Sequence, residues 1–161
     1  MRDPIHNKTK LNPFVHSLKK TKMAELTIER AIYAAALKNS SHFAINSYAP
    51  AVDLDGVDIV LRVEQNGIII YAAVAVISGA LVVLSNGKMN SIAAVARRHA
   101  NARAPYFLLI KNQNDDRFAR YDSAEILSSN LRSLRPKKDA FVSAEEAVNT
   151  MISSILSETY A

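Results

Sequence analysis

Apolar residues recur along this chain with two periods, and the switches between them mark out its elements. Ala24 to Lys38 (AELTIERAIYAAALK) is rich in strong helix formers and spaces Ile28, Ala31, Ile32 and Ala35 on one face. That predicts a helix stopping at Asn39-Ser40-Ser41. His42–Tyr48 alternates Phe43, Ile45 and Ser47 against Ala44 and Asn46, a strand pattern, and residues 49–56 read as a loop. Val57–Glu64 alternates again, with Val57, Ile59, Leu61 and Val63 on one face, and Asn66-Gly67 is a hairpin signal. Ile68–Ser78 is a nearly continuous β-branched run, predicting a central strand covered on both faces.

Beyond Gly79 the pattern predicts a short strand at Leu81–Leu84, a turn at 85–87 and a helix from Met89 to Arg103. That helix has a stripe of Ile92, Val95, Ala96 and His99. Pro105–Lys111 is an apolar strand, Asn112–Asp116 a polar turn, and Arg117–Tyr121 an edge strand. Residues 130–139 read as a basic, polar loop. Ser143-Ala144-Glu145-Glu146 is a capping box opening a last helix, whose apolar face is Val148, Met151, Ile152 and Ile155. A leading helix, three strands that can pair antiparallel, and a helix crossing to a further strand define an α/β domain. Its expected form is a mixed central sheet of four to five strands flanked by helices. No internal repeat or low-complexity tract interrupts it.

Composition sharpens the boundaries. The 161 residues carry a net charge of +5, and residues 1–22 hold all of it: Arg2, Lys8, Lys10, Lys19, Lys20 and Lys22 against Asp3 alone. With Pro4, Pro13 and no sustained periodicity, residues 1–23 read as a disordered basic tail, and residues 24–161 as a single domain. Such a tail can bind phosphates by counterion release, or serve as a solvated arm that keeps the protein soluble. Met23 is a third alternative, as the natural start. The absence of cysteine excludes a disulfide scaffold, a Cys-ligated zinc and a Cys nucleophile. The longest apolar run, Ile68–Ile77, is too short to span a bilayer, and the N-terminus lacks a signal-peptide core. A cytoplasmic protein with no membrane partner is expected.

Most catalytic signals are missing. Four glycines form no phosphate loop or dinucleotide fingerprint, and His6, His16, His42 and His99 offer no metal-ligand spacing. His99 falls near the helix end beside Arg97, Arg98 and Arg103, where positive charge complements the helix dipole. The informative residues are acidic. Glu29 lies in the first helix, and Asp58 opens the second strand after a loop carrying Asp53 and Asp55. Carboxylates converging from a helix and a strand suit Mg²⁺, which takes oxygen ligands and can activate water. Taken singly, each is better read as structural, Glu29 pairing with a basic group and Asp58 capping a turn.

Taken together, Leu26 to Ser78 resembles the PD-(D/E)xK, or restriction-endonuclease-like, nuclease superfamily, and most closely archaeal Holliday junction resolvases. The resemblance rests on Glu29-Arg30 in the first helix, Asp58-Ile59-Val60-Leu61 opening a strand, a Gly-ended hairpin turn, and the apolar strand after it. It continues through residues 81–97 to Tyr106–Lys111. Active members carry Glu-x-Lys in the third strand, the Glu binding metal and the Lys positioning water. Here IIIYAAVAVIS has neither, and those positions fall at Ala73 and Ala75, or at Ala75 and Ile77 if anchored on Ser78. Glu64 is no substitute, since six residues of strand set it roughly 20 Å from Asp58.

The resemblance implies a catalytically degenerate nuclease fold, more binding protein than enzyme, with Glu29 and Asp58 as remnants of the catalytic site. Lys19, Lys20, Lys22, Lys88, Arg97, Arg98 and Arg103 are its candidate nucleic-acid contacts. DNA is the expected partner, with a homodimer or a complex with an active nuclease as the assembly. No cofactor is expected. The alternative is an active, structure-specific endodeoxyribonuclease with Mg²⁺ held by Asp58 and Glu29. In the degenerate reading, Ala73 and Ala75 floor a small apolar pocket. Either one of the two carboxylates holds its proton to higher pH, or a basic side chain, Arg30 or Arg62 being nearest in sequence, neutralises them.

Overall fold

The computed structural model describes residues 13–50, 56–78, 86–129 and 136–157, with side chains from residue 21 in the first helix and residue 87 in the second. The expected loop through Asp53 and Asp55, the strand at Leu81–Leu84 and most of the 130–139 loop lie outside the described residues. Helix α1 (Pro13–Lys38) leads into β1 (Ala44–Tyr48), β2 (Ile59–Gln65) and β3 (Ile68–Ser78). Helix α2 (Asn86–Asn101) is followed by β4 (Tyr106–Lys111), β5 (Arg117–Asp122) and α3 (Ser123–Ser128). A 3-10 turn (Lys138–Ala140), β6 (Val142–Ser143) and α4 (Ala144–Ser157) complete the order. No described helix is long and apolar enough to cross a membrane.

The α/β class and the mixed sheet match the sequence pattern, but the sheet has six strands in the order β1-β2-β3-β4-β5-β6. β1, β2 and β3 form an antiparallel meander, β4 runs parallel to β3, and β5 and β6 are antiparallel again. The parallel step needs a crossover, and α2 lies within it. β5, expected at the edge, is flanked by the two-residue β6. Helix α3 escaped the periodicity reading because it spans only six residues. Its signal is the capping box, in which the Asp122 side chain accepts from Glu125 N–H while Glu125 accepts from Asp122 N–H, both at 2.8 Å.

Helix α1 begins at Pro13, eleven residues ahead of its expected start, so residues 13–23 are helical rather than part of a disordered tail. Proline suits a first helical position because its missing N–H has no partner there. On α1, Ala24, Ile28, Ile32 and Ala35 turn inward to meet α4 and one sheet face, joining Leu61, Val63, Val74 and Met151 in the larger core. The other face carries a smaller core, where α2 and α3 cover Ala73, Ala75, Ile77, Leu108 and Ile110. Strand β3 is therefore covered on both faces only from Ala72 onward; Ile68, Ile69 and Tyr71 are exposed.

Candidate functional site

Asp58 stands one residue ahead of β2. The β2–β3 register ends at the Ile59–Val74 pair, and Asp58 lies just beyond it, where β2 has run out and β3 continues. The aspartate extends the ladder with its side chain: Val76 N–H donates to Asp58 Oδ2 at 2.7 Å. Asp58 N–H in turn donates to the Val74 carbonyl at 2.8 Å. The carboxylate is thus fixed at the sheet end, between the two helix layers.

Both layers feel it. From α1, Lys22 reaches Glu25 at 2.8 Å, and their side chains are 63% and 13% exposed. The hydrogen bond and charge of Glu25 hold the Lys22 ammonium above its ordinary pKa, and the charges of Glu29 and Asp58 add to the effect. Lys22, Glu25 and Glu29 follow i, i+3, i+7 spacing, one stripe of a helix. Lys22 therefore lies within the field of both Glu29 and Asp58, whereas Arg62 bonds Glu64 at 2.8 Å on the opposite face of β2 from the α1 core.

From the other layer comes Tyr106. Burial, and then the charge of Asp58, push its phenol well above the ordinary value of 10.0. The hydroxyl donates to the Gly56 carbonyl at 2.6 Å. Gly56 has φ +85°, and a Cβ there would come within 3.3 Å of Ser91 O and Val95 Cγ2, so α2 sits directly against this backbone. His99 lies 5.3 Å from the Tyr106 ring, centroid to centroid. Burial and the neighbouring Arg98 lower its pKa, opposed by its hydrogen bond to the Pro105 carbonyl. Its Nδ1 is buried without a partner.

Ala73 and Ala75 are 6% and 0% exposed and packed beneath Ile92, Val95 and Ala96 of α2. They are core, not the floor of an open pocket, because small side chains on β3 let the helix settle onto the sheet. The next residue on that face of β3 is Ile77, 2% exposed. Among the described residues, no three His, Cys, Asp or Glu side chains gather to hold a metal ion. The α2-covered face of β3 supplies methyl groups at Ala73 and Ala75, where a Mg²⁺ site would take oxygen ligands.

The candidate nucleic-acid contacts do not form one patch. Lys19 and Lys20 lie within α1, and their side chains are outside the described residues. Lys22 belongs to the carboxylate cluster. Half-buried Lys88 and exposed Arg97, nine residues apart, point to sides of α2 roughly 180° apart. Arg98 borders a cleft of about 590 Å³ with Val57, Ser91 and His99. Arg103 borders a different one, of about 350 Å³, with Phe107 and Ser123. Arg103 has φ +54° and ends α2, with Ala104 N–H bonded to His99 O at 2.9 Å and Arg103 N–H to Ala100 O at 3.2 Å. That is a Schellman stop, normally the place of a glycine.

No family model matches the chain, and no curated protein matches it. Sequence reasoning placed Glu29 and Asp58 but missed the part of Lys22 and Glu25, whose signal was the helical spacing across the assumed tail boundary. It also missed the Tyr106–Gly56 bond, which joins residues 50 positions apart and has no local signature.

Proposed function

We propose that this chain is a restriction-endonuclease-like domain, related to Holliday junction resolvases, that binds nucleic acid without cutting it. The order α1-β1-β2-β3-α2-β4, with Asp58 at the head of β2 and Glu29 on the helix behind it, supports the fold relationship. One observation carries the loss of catalysis: the face of β3 beside Asp58 that α2 covers presents only Ala73, Ala75 and Ile77, all buried. A third carboxylate and a lysine would be needed there to bind a metal and position water, and an apolar strand supplies neither. What remains for function is binding. Exposed Arg97 and Arg98, with Lys19 and Lys20 on the helix that precedes the domain core, are its cationic contacts.

Fluorescence anisotropy with single-stranded, duplex and four-way-junction DNA tests this reading. Four phosphate contacts would make affinity fall with salt with a log–log slope of about −3 to −4. The expected result is salt-dependent binding with every strand intact after incubation with Mg²⁺ or Mn²⁺. Metal-dependent cleavage abolished by Asp58→Asn would contradict the loss of catalysis. Absence of binding at low salt would contradict the binding function.

A further inference from the structure

Helix α1 is apolar on two sides. Its inner side, with Ala24, Ile28, Ile32 and Ala35, belongs to the larger core. Met23, Leu26, Tyr33 and Leu37 lie on the other side, roughly 180° around the helix. They are 61%, 37%, 67% and 61% exposed. With Arg30, also exposed, they advance by steps of three, four, three and four residues from 23 to 37. That is the a/d spacing of two heptads, the pattern that seats one helix against another. A helix apolar on both sides is normally covered on both, and α1 is covered on one. Arg30 stands at the middle of the open seam, and no carboxylate among the described residues pairs with it.

We propose that this outer seam of α1 docks an amphipathic helix of a partner protein, with an acidic side chain set opposite Arg30. The spacing selects a helix, because steps of three and four residues match the holes of a helical partner and not the period of a strand. Arg30 selects the charge. A second copy of α1, parallel or antiparallel about the seam centre, would set Arg30 against Arg30, and the two cations would repel. A basic helix meets the same repulsion, whereas an acidic one gains a partner for the unpaired guanidinium. The phosphate backbone of a nucleic acid offers nothing to four apolar side chains, so the seam is separate from the cationic contacts proposed above and independent of that reading. Apolar on two sides, α1 also lacks the one-sided amphipathicity of a helix that lies on a membrane. From residue 23 to residue 37 the seam is about 21 Å long. Such a contact is smaller than a standard interface, so association is transient, with a micromolar dissociation constant.

Fluorescence anisotropy of the full chain with labelled three-heptad helical peptides tests this assignment. Both peptides carry leucine at a and d positions; at the central a position one has glutamate and the other lysine. The expected result is saturable, micromolar binding of the glutamate peptide and at least tenfold weaker binding of the lysine peptide. Tyr33→Asp and Leu37→Asp, at exposed positions, each weaken binding at least tenfold with unchanged thermal melting. Arg30→Glu reverses the preference in favour of the lysine peptide. Tyr71→Asp, on the sheet, leaves binding unchanged. No binding of either peptide up to about 1 mM overturns the proposal. So does equal binding of the two peptides that is indifferent to Arg30→Glu, which marks unspecific apolar contact. Binding to phosphatidylserine–phosphatidylcholine vesicles, or self-association in sedimentation equilibrium, lost in Tyr33→Asp, would give the seam another occupant and also overturn it.

Discussion

Asp58 and Ala75 lie at the same end of the β2–β3 pair, yet their surroundings have opposite character. On the Asp58 side, charge is retained and has structural work. The carboxylate bonds a backbone N–H of β3, and Lys22 lies within the field of both Asp58 and Glu29. On the Ala75 side, the strand has become part of the core, and α2 rests on it. A metal centre would need oxygen ligands from both sides, and the α2-covered face of β3 supplies none. The presence of an acidic pair is therefore weak evidence for catalysis, and the chemistry of the facing strand decides the question.

The largest expected effect breaks this contrast on the apolar side. Ala75→Glu buries a carboxylate among Ile92, Val95 and Ala96 without a partner, and urea denaturation should show a loss of about 3 kcal/mol or more. The paired change Ala73→Glu with Ala75→Lys should unfold the protein rather than rebuild a site. Next is the seam between the two sides. Gly56→Ala meets α2 at 3.3 Å in a left-handed conformation. It should cost about 2 kcal/mol in the same assay.

A smaller, pH-dependent effect comes from His99. Folding holds its imidazole below the ordinary 6.5, so the unfolded chain binds the proton more readily. The His99 contribution is complete above 6.5 and declines as pH falls below it. Thermal melting should therefore drop between neutral and mildly acid pH, and His99→Phe should flatten that dependence. The smallest effect lies on the charged side. Lys22 is mostly exposed, so Lys22→Met should cost less than ~1 kcal/mol. Its contribution is full at neutral pH and lost only as pH rises through its elevated pKa, above 10.5.

How much of this was legible in the sequence depends on the range of the interactions. Strands β1 to β4 and helices α2 and α4 were readable because alternation and helical spacing are local. The start of α1 was misplaced because a basic, proline-containing segment resembles a tail, although Pro13 is a good first helical residue. The full coverage expected for Ile68–Ser78 held only from Ala72 onward, because the placement of α2, not the composition of the strand, decides which residues are covered. The two acidic residues could be named from sequence. The hydrogen bonds of Asp58 to β3 and the nearness of Lys22 to both carboxylates depend on tertiary placement, which no local pattern carries.

The most direct test is calorimetric titration of the full chain with millimolar Mg²⁺, alongside the Asp58→Asn variant. The account predicts the same absence of binding heat for both proteins, because the α2-covered face of β3, at Ala73, Ala75 and Ile77, offers no ligand. Stoichiometric Mg²⁺ binding by the wild-type chain, lost in Asp58→Asn, would contradict it.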